Sequence, residues 1–434
     1  MSSIAYQKKI NCISGFDVVV LGSGPAGLCA AVAAARNGSK VALVERYGVL
    51  GGNLTAGFVG PILGMVSKGT MRDELVGLLG VPENDMIGEV AVAHDIEKAK
   101  RVVADFANIE GIQVFLQTTV FDVIKEDDKI KGIVVSCKEG PQVISGKIYI
   151  DATGDGDVAY LAGCKVEKGR EDGLMQPATL EYTIDNVDES KAIVCIGDVD
   201  EVMFGDIPFL EYCRRCADRG ELPKALAAVR LHRTVTPGER RVNTTQANGV
   251  DGTRTSDLFP AEIQLRKQID IVTDFLRSHL PGYENCKVVG SGTTIGLRET
   301  RRIVGDYILN KDDLVCGRRF DDVIVHKAEF LVDIHNPKGA GQAEAKIQYC
   351  TPYDIPYRCF TPIGLSNLYT AGRCISGTHE AHASYRVMSI CMAMGQSVGL
   401  AASMCSAENI ETRELNVKKL QDKLQSLGVD LFSN

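Results

Sequence analysis

The chain has no long basic run. Its 48 lysines and arginines are scattered among 56 aspartates and glutamates, for a formal charge of 48 − 56 = −8, which excludes the usual electrostatic footprint of a nucleic-acid binder. No N-terminal apolar stretch is long enough for a signal peptide, because Asn11, Ser14 and Gly15 interrupt the residues that follow Lys8 and Lys9. The 14 cysteines of the 434-residue chain lack regular spacing. That argues against a disulfide framework and for a reducing compartment, so a cytoplasmic location is expected. Cys213-x-x-Cys216 has no second pair with which to hold zinc or an iron–sulfur cluster. No redox pair follows the first helix and strand either, which excludes a disulfide reductase. Residues 387 to 404 are apolar over roughly a bilayer's thickness. Gln396, three serines and two glycines within them predict a buried helix rather than a membrane span.

What is present is ordinary in bulk and specific in one place. A hydrophobic share of 45% and a charged share of 24% suit a soluble globular protein, and the length allows two domains or one domain with a long insertion. The specific place is residues 17 to 45, DVVVLGSGPAGLCAAVAAARNGSKVALVE. Asp17 to Leu21 is a continuous apolar run of the kind buried on both faces of a parallel sheet. It leads into Gly22-Ser-Gly24-Pro25-Ala26-Gly27. In this motif Gly22 permits the turn, Gly24 lets backbone approach a pyrophosphate, and Gly27 allows close helix–strand packing. The Ala-rich segment to Arg36 is a strong helix former whose N-terminal amides face the phosphates. Gly38 ends it, Lys40 to Val44 forms a second strand, and Glu45 stands where a carboxylate accepts ribose hydroxyls. A strand–helix–strand unit that binds nothing would need neither the three glycines nor the terminal acid.

Further along, Arg46 to Gly60 is a glycine-rich loop suited to wrapping the sugar–phosphate part of a ligand, with Arg46, Gly52 and Asn53 as contacts. Residues 91 to 109 have helical periodicity closed by Gly111, and Ile112 to Leu116 reads as a third strand. Three β-like runs, 120 to 125 (beginning at Val120), 132 to 137 and 143 to 150, form an antiparallel meander returning to the main sheet. The return strand runs into Ala152-Thr153-Gly154. A late strand at 368 to 370 enters Ala371-Gly372-Arg373, followed by one long helix that includes Val387. A nucleotide fingerprint, a meander and a strand ending in Ala152-Thr153-Gly154 together resemble the FAD-binding domain of the glutathione-reductase-like flavoproteins. DATGDGDVAYLAG, IGLRETRRIVGDY and AGRCISGTHEAHASYRVM narrow the resemblance to the FAD-dependent oxidoreductases akin to fumarate reductase and succinate dehydrogenase flavoproteins, with tricarballylate dehydrogenase-like members. The similarity covers about residues 16 to 430.

The resemblance implies an α/β, Rossmann-like FAD-binding domain in two parts, 1–164 and 346–407, around an inserted α+β substrate domain at 165–345. A charged C-terminal helix at 408–434 serves as a solvated support or an oligomer contact, which leaves a homodimer open. It implies FAD rather than NAD as cofactor. Covalent members of the wider class use a histidine near the early glycine-rich loop; residues 46 to 64 contain none, so the flavin is expected to be non-covalent. Candidates for chemistry are His379, His382 and Arg386, placed at the start of the flavin-facing helix. Arg298 joins them, on a helix start whose spacing puts Arg301 and Arg302 on the same face. Asp155 and Asp157 are expected to cap a helix or contact the cofactor, not to bind metal. Lys287 to Gly296 mimics a second dinucleotide motif with the wrong spacing, so no nicotinamide domain is expected. The reading is an FAD-dependent dehydrogenase or reductase that moves hydride between a small polar, oxygen-rich or carboxylated substrate and the flavin, with a separate electron carrier. An oxidase or monooxygenase, or an electron-transfer subunit of a complex, is the alternative.

Overall fold

Val18, Val19, Val20 and Leu21 are all fully buried. The first strand, β1 (Asn11–Leu21), therefore lies inside a sheet with both faces covered, as its apolar run requires. The computed structural model describes residues 7–81, 92–195, 202–339, 341 and 348–433; the boundary expected between 345 and 346 lies outside them. After β1 come helix α1 (Pro25–Arg36), β2 (Val41–Val44), α2 (Met71–Leu79), α3 (Ile96–Ala107) and β3 (Ile112–Phe115). The meander follows as β4 (Thr119–Glu126), β5 (Lys129–Cys137) and β6 (Gly140–Asp151), then α4 (Asp157–Leu161). The strands run in the order β3-β2-β1-β6-β5-β4. β6 is long enough to serve two purposes: its start pairs antiparallel with β5, while its remainder runs parallel to β1.

The middle of the chain turns away from this sheet. It contains β7 (Val166–Lys168), β8 (Tyr182–Asp185), the short hairpin β9 (Met203–Phe204) and β10 (Ile207–Pro208), α5 (Phe209–Asp218), β11 (Leu231–Arg233) and β12 (Arg240–Val242). Then come α6 (Thr255–His279), β13 (Lys287–Ser291), β14 (Arg301–Ile303), α7 (Lys311–Val315), β15 (Val323–Ala328) and β16 (Tyr353–Pro356). β11, β12, β8 and β13 form an antiparallel sheet in that order, and its residues share a core of their own with α5 and α6. The chain then re-enters the main sheet with β17 (Leu368–Thr370) parallel to β6. It closes with α8 (His379–Tyr385), α9 (Met388–Glu408) and α10 (Val417–Ser426).

α1 and α9 pack together over one face of the sheet. α9 is long and apolar enough to cross a membrane by length and composition, yet 94% of that window is buried inside the protein. Two of its buried polar residues satisfy neighbours. Gln396 accepts from the Met71 amide at the start of α2 (2.7 Å), and Ser397 donates to the Ile324 carbonyl (2.6 Å). Such bonds are needed wherever a polar group is buried.

Three expectations need correction. The segment at 298 to 306 is no helix: Arg301–Ile303 is β14, antiparallel to β7. A charge spacing of three and four fits a helix face, but a strand partner 130 residues away in sequence overrides it. The helix after β17 is two helices, α8 and α9, interrupted at Arg386 and Val387. The tail helix begins at Val417, not Glu408, and buries Leu420, Gln421 and Leu424. The pseudo-dinucleotide motif is β13, paired antiparallel with β8.

Candidate active site

The cleft is built where β1 and β6 end side by side. Gly22 has φ +93, and a Cβ on it would stand 2.5 Å from the Ala152 carbonyl oxygen; a Cβ on Gly27 would fall on the Gly22 carbonyl. Only glycine lets the two turns touch and α1 start beneath them. A Cβ on Gly24 would meet nothing within 4 Å, so this glycine faces open space. Pro25 fits the first helical turn, where its missing N–H is no loss. Glu45 is 4% exposed and holds the turn together, accepting from the Ser23 amide (2.8 Å), the Ser23 hydroxyl (2.6 Å) and the Tyr47 amide (2.9 Å).

The resulting cleft has about 1120 Å³ of free space, open solvent included. It is lined by Gly22, Gly24, Pro25, Ala26, Glu45, Arg46, Gly52, Asn53, Val120, Ala152, Thr153, Gly154, Gly372 and Arg373. Gly27 packs beneath it, and Val387, the residue before α9, gives way to Met388 as a lining residue. Asp155 and Asp157, expected to cap a helix or contact the cofactor, line it too, as do Tyr47, Thr294, Leu297 and Arg386, which were not singled out as cofactor contacts from sequence. For Thr294 and Leu297 no local signal existed, since they arrive from the inserted domain.

Asp155 and Asp157 do not cap α4, whose N-cap is Gly156 with no side-chain bond. The helix start is served by Asp151, which accepts from the Ala159 amide (2.9 Å) and from Thr153. Burial pushes the Asp151 carboxyl up to about 6. Asp155 pairs with Arg373 (3.0 Å) and Asp157 with Arg301 (2.8 Å). Burial by itself would raise the Asp155 carboxyl, but Arg373 and Arg46 hold it below the ordinary carboxylate range. Among the described residues, Arg373 Nη1 is buried without a hydrogen-bond partner, as is Arg386 Nε. A glycine cradle at a helix N-terminus, an acid at the second strand end and unsatisfied guanidinium donors in the cleft fit a dinucleotide with its pyrophosphate over α1.

The profile of the FAD dependent oxidoreductase family matches residues 17–424. The chain belongs to that family. FAD is therefore the cofactor of this oxidoreductase, and the Rossmann-like fold is that of a flavoenzyme. Curated relatives include the thiamine thiazole synthase of Pyrococcus horikoshii, 29% identical over 175 residues, covering 38% of this chain and 66% of that protein. The enzyme of the same name from Methanococcus maripaludis is 36% identical over 149 residues, covering 32% and 55%. The match thus spans less than two thirds of either relative. Among solved structures, a geranylgeranyl bacteriochlorophyll reductase-like protein from Thermoplasma acidophilum aligns with 96% of this chain and 83% of its own, at TM-score 0.47 and 14% identity.

Of the four expected catalytic residues, Arg386 lines the cleft and His379, His382 and Arg298 do not. His379 Nδ1 donates to Glu299 (2.9 Å), which also pairs with Arg302, and this group ties α8 to the segment before β14. His382 is 1% exposed, and burial with Arg302, Arg386 and Arg373 nearby holds its imidazole well below its usual range. Neither histidine lines the cleft. Both sit on α8, not on the helix that starts at Met388. Arg386 does line it and pairs with Asp333 (2.8 Å), which also contacts His335 (3.2 Å). Arg298 follows Leu297 in the wall contributed by the inserted segment. Its Nη1 donates to the Pro177 carbonyl (2.8 Å) and its Nη2 to Asn243 Oδ1 (3.4 Å).

Proposed function

We propose that this FAD-dependent oxidoreductase is a dehydrogenase or reductase that moves hydride between a small carboxylated substrate and the flavin, with Arg298 holding the carboxylate. The observation that carries this reading is the state of Arg298. Among the described residues it makes no ion pair, and its two hydrogen bonds go to neutral acceptors. Burial, with Arg386 close by, pushes its guanidinium down to about 9. A buried cation without a direct ion pair is costly, and a bidentate carboxylate relieves that cost in the geometry guanidinium prefers. Arg386 is already neutralised by Asp333 and serves the cofactor side of the cleft.

The segment with its own core, around β8, β11, β12 and β13, acts as the substrate domain in this reading. Bound FAD supplies the two-electron acceptor; the chain's residues anchor the anion, exclude water and exchange the proton. All 14 cysteines are free thiols, which supports a reducing, cytoplasmic setting. Arg298→Ala is expected to weaken binding of a carboxylate inhibitor or substrate roughly 10- to 100-fold, the value of a charge-assisted hydrogen-bond pair. Flavin content should stay unchanged. Equilibrium titration of the flavin absorbance tests this, and unaltered affinity would overturn the role.

The flavin is held without a covalent bond in this reading. Acid precipitation of the yellow protein should leave a colourless pellet and FAD in the supernatant by mass. A yellow pellet would show a covalent link.

A further inference from the structure

The wall that holds Arg298 also holds a buried acid that the cofactor does not use. Residues 179 to 181 run beside 292 to 296: the Thr179 amide donates to the Gly296 carbonyl (3.0 Å), the Gly296 amide to the Thr179 carbonyl (2.7 Å), and the Gly292 amide to the Glu181 carbonyl (3.0 Å). Thr294, Ile295 and Leu297 of the second segment line the cleft. The two segments are thus one two-ply wall between the cleft and the inserted sheet, with Arg298 and Glu181 both built into it. The Thr179 hydroxyl and Arg298 Nη2 share Asn243 Oδ1 as acceptor.

Glu181 is 3% exposed. Its Oε2 accepts from the Gly60 amide (2.7 Å), in the loop that follows the cofactor contacts Gly52 and Asn53. Among the described residues its Oε1 has no partner. A Cβ added to Gly60 would meet Arg241 Cγ at 3.1 Å, Glu181 Oε2 at 3.2 Å and His232 Cδ2 at 3.7 Å, so acid, cation and imidazole meet at one point of backbone. Arg241 itself donates to Thr183 Oγ1 (2.9 Å) and the Phe58 carbonyl (2.7 Å). The charged and titratable groups facing Glu181 are Arg241 from β12, Arg298 from the wall, Arg230 from the chain before β11, and His232 from β11. Burial, then Arg230 and Arg241, depress the imidazole to about 3, so His232 is neutral and adds no charge.

We propose that Glu181 and Arg298 form one carboxylate-binding subsite in which anion binding is coupled to protonation of Glu181. The inference rests on the reading of Arg298 given above. Without a bound anion, Asp333 and Glu181 are the counter-charges that act on Arg298, and Glu181 is the foremost one acting on Arg241. An incoming carboxylate takes over that duty at Arg298, and two carboxylates then compete in one low-dielectric space. Like charges in such a site do not both stay ionised; Glu181 takes up a proton, and Oε1 becomes a donor to the bound anion. Burial alone already pushes the empty-site carboxyl up to about 7, with Arg241 and the Gly60 amide opposing, so the second charge acts on a group poised to respond. The linkage sign follows: binding takes up a proton, so affinity falls as pH rises above about 7.

The probe is malonate, a carboxylate with no easily transferred hydride, titrated calorimetrically into the flavin-loaded protein at pH 8 in two buffers of different ionisation enthalpy. Wild type is expected to take up roughly half a proton or more per malonate bound. Glu181→Gln keeps an acceptor for the Gly60 amide and should bind malonate with no measurable uptake and a flat pH dependence between pH 7 and 8.5. On the wild type itself, infrared difference spectra should gain the carbonyl stretch of a protonated carboxyl when malonate is added. Binding that is absent, or unaffected by Arg298→Ala, overturns the Arg298 reading. Binding that depends on Arg298, while proton uptake persists unchanged in Glu181→Gln or no protonated carboxyl appears, overturns the role of Glu181 alone.

Discussion

Gly395→Val is expected to yield protein that fails to hold flavin and unfolds well below the wild type. A Cβ at Gly395 would fall on the carbonyl oxygen of Ala26, and one at Gly399 on that of Ala30. α9 therefore lies backbone to backbone on α1 for a full turn, and the obstructing atoms belong to a helix that cannot rotate aside as a side chain would. Overpacking of ordinary cores costs about 1–3 kcal/mol; here relief requires moving α1, whose first turn is the floor of the cofactor cleft. A total stability of about 5–15 kcal/mol leaves little margin for such a loss. Gly77→Ala is the control. Gly77 lies within α2, and a Cβ there meets nothing within 4 Å, so the change should stabilise the protein by about 0.5–1 kcal/mol. Thermal unfolding followed by flavin fluorescence separates the two. A Gly395→Val protein that melts with the wild type would show that the helices part without penalty.

Glu45→Arg is expected to give a colourless protein. The substitution removes the acid expected to accept the ribose hydroxyls and places a cation at the strand end. It also strips three hydrogen bonds from the Ser23 and Tyr47 donors. Breaking a buried, charge-assisted set by removing one partner costs about 3–5 kcal/mol, enough to lower cofactor affinity several hundredfold even if the fold survives. Glu45→Gln keeps the shape and an acceptor oxygen, so it should retain part of the flavin. The ratio of flavin to protein absorbance measures both, and a fully yellow Glu45→Arg protein would remove Glu45 from the cofactor site.

Residues 17 to 45 were legible as a strand, glycine turn, helix and strand because their information is local. An apolar strand, glycines that admit no Cβ, an Ala-rich helix and a terminal acid are all dictated by neighbours within thirty positions. Most of the expected cofactor contacts accordingly line one cleft. The tertiary structure adds a second demand on the same stretch, because α1 must also meet Gly395 and Gly399 of a helix more than 350 residues later.

Where pairing is non-local, local pattern misleads. Arg298, Arg301 and Arg302 have helical spacing, but β7 supplies a strand partner, and the three guanidiniums go separate ways. Arg298 turns to Pro177 and Asn243, Arg301 to Asp157, and Arg302 to Glu299 and the Gly377 carbonyl. The break between α8 and α9 has no proline or glycine to announce it. Arg386 reaches Asp333 there, on a segment that sequence spacing does not relate to it. Glu181 reads as one polar residue among apolar neighbours, and only the approach of the Gly60 loop and the 292 to 298 segment turns it into a buried acid beside Arg241 and Arg298. The sequence by itself determined the cofactor and the fold that holds it, since those rest on short-range backbone geometry. The substrate wall was decided only by the tertiary structure, because burial and electrostatic environment depend on which distant segments pack together.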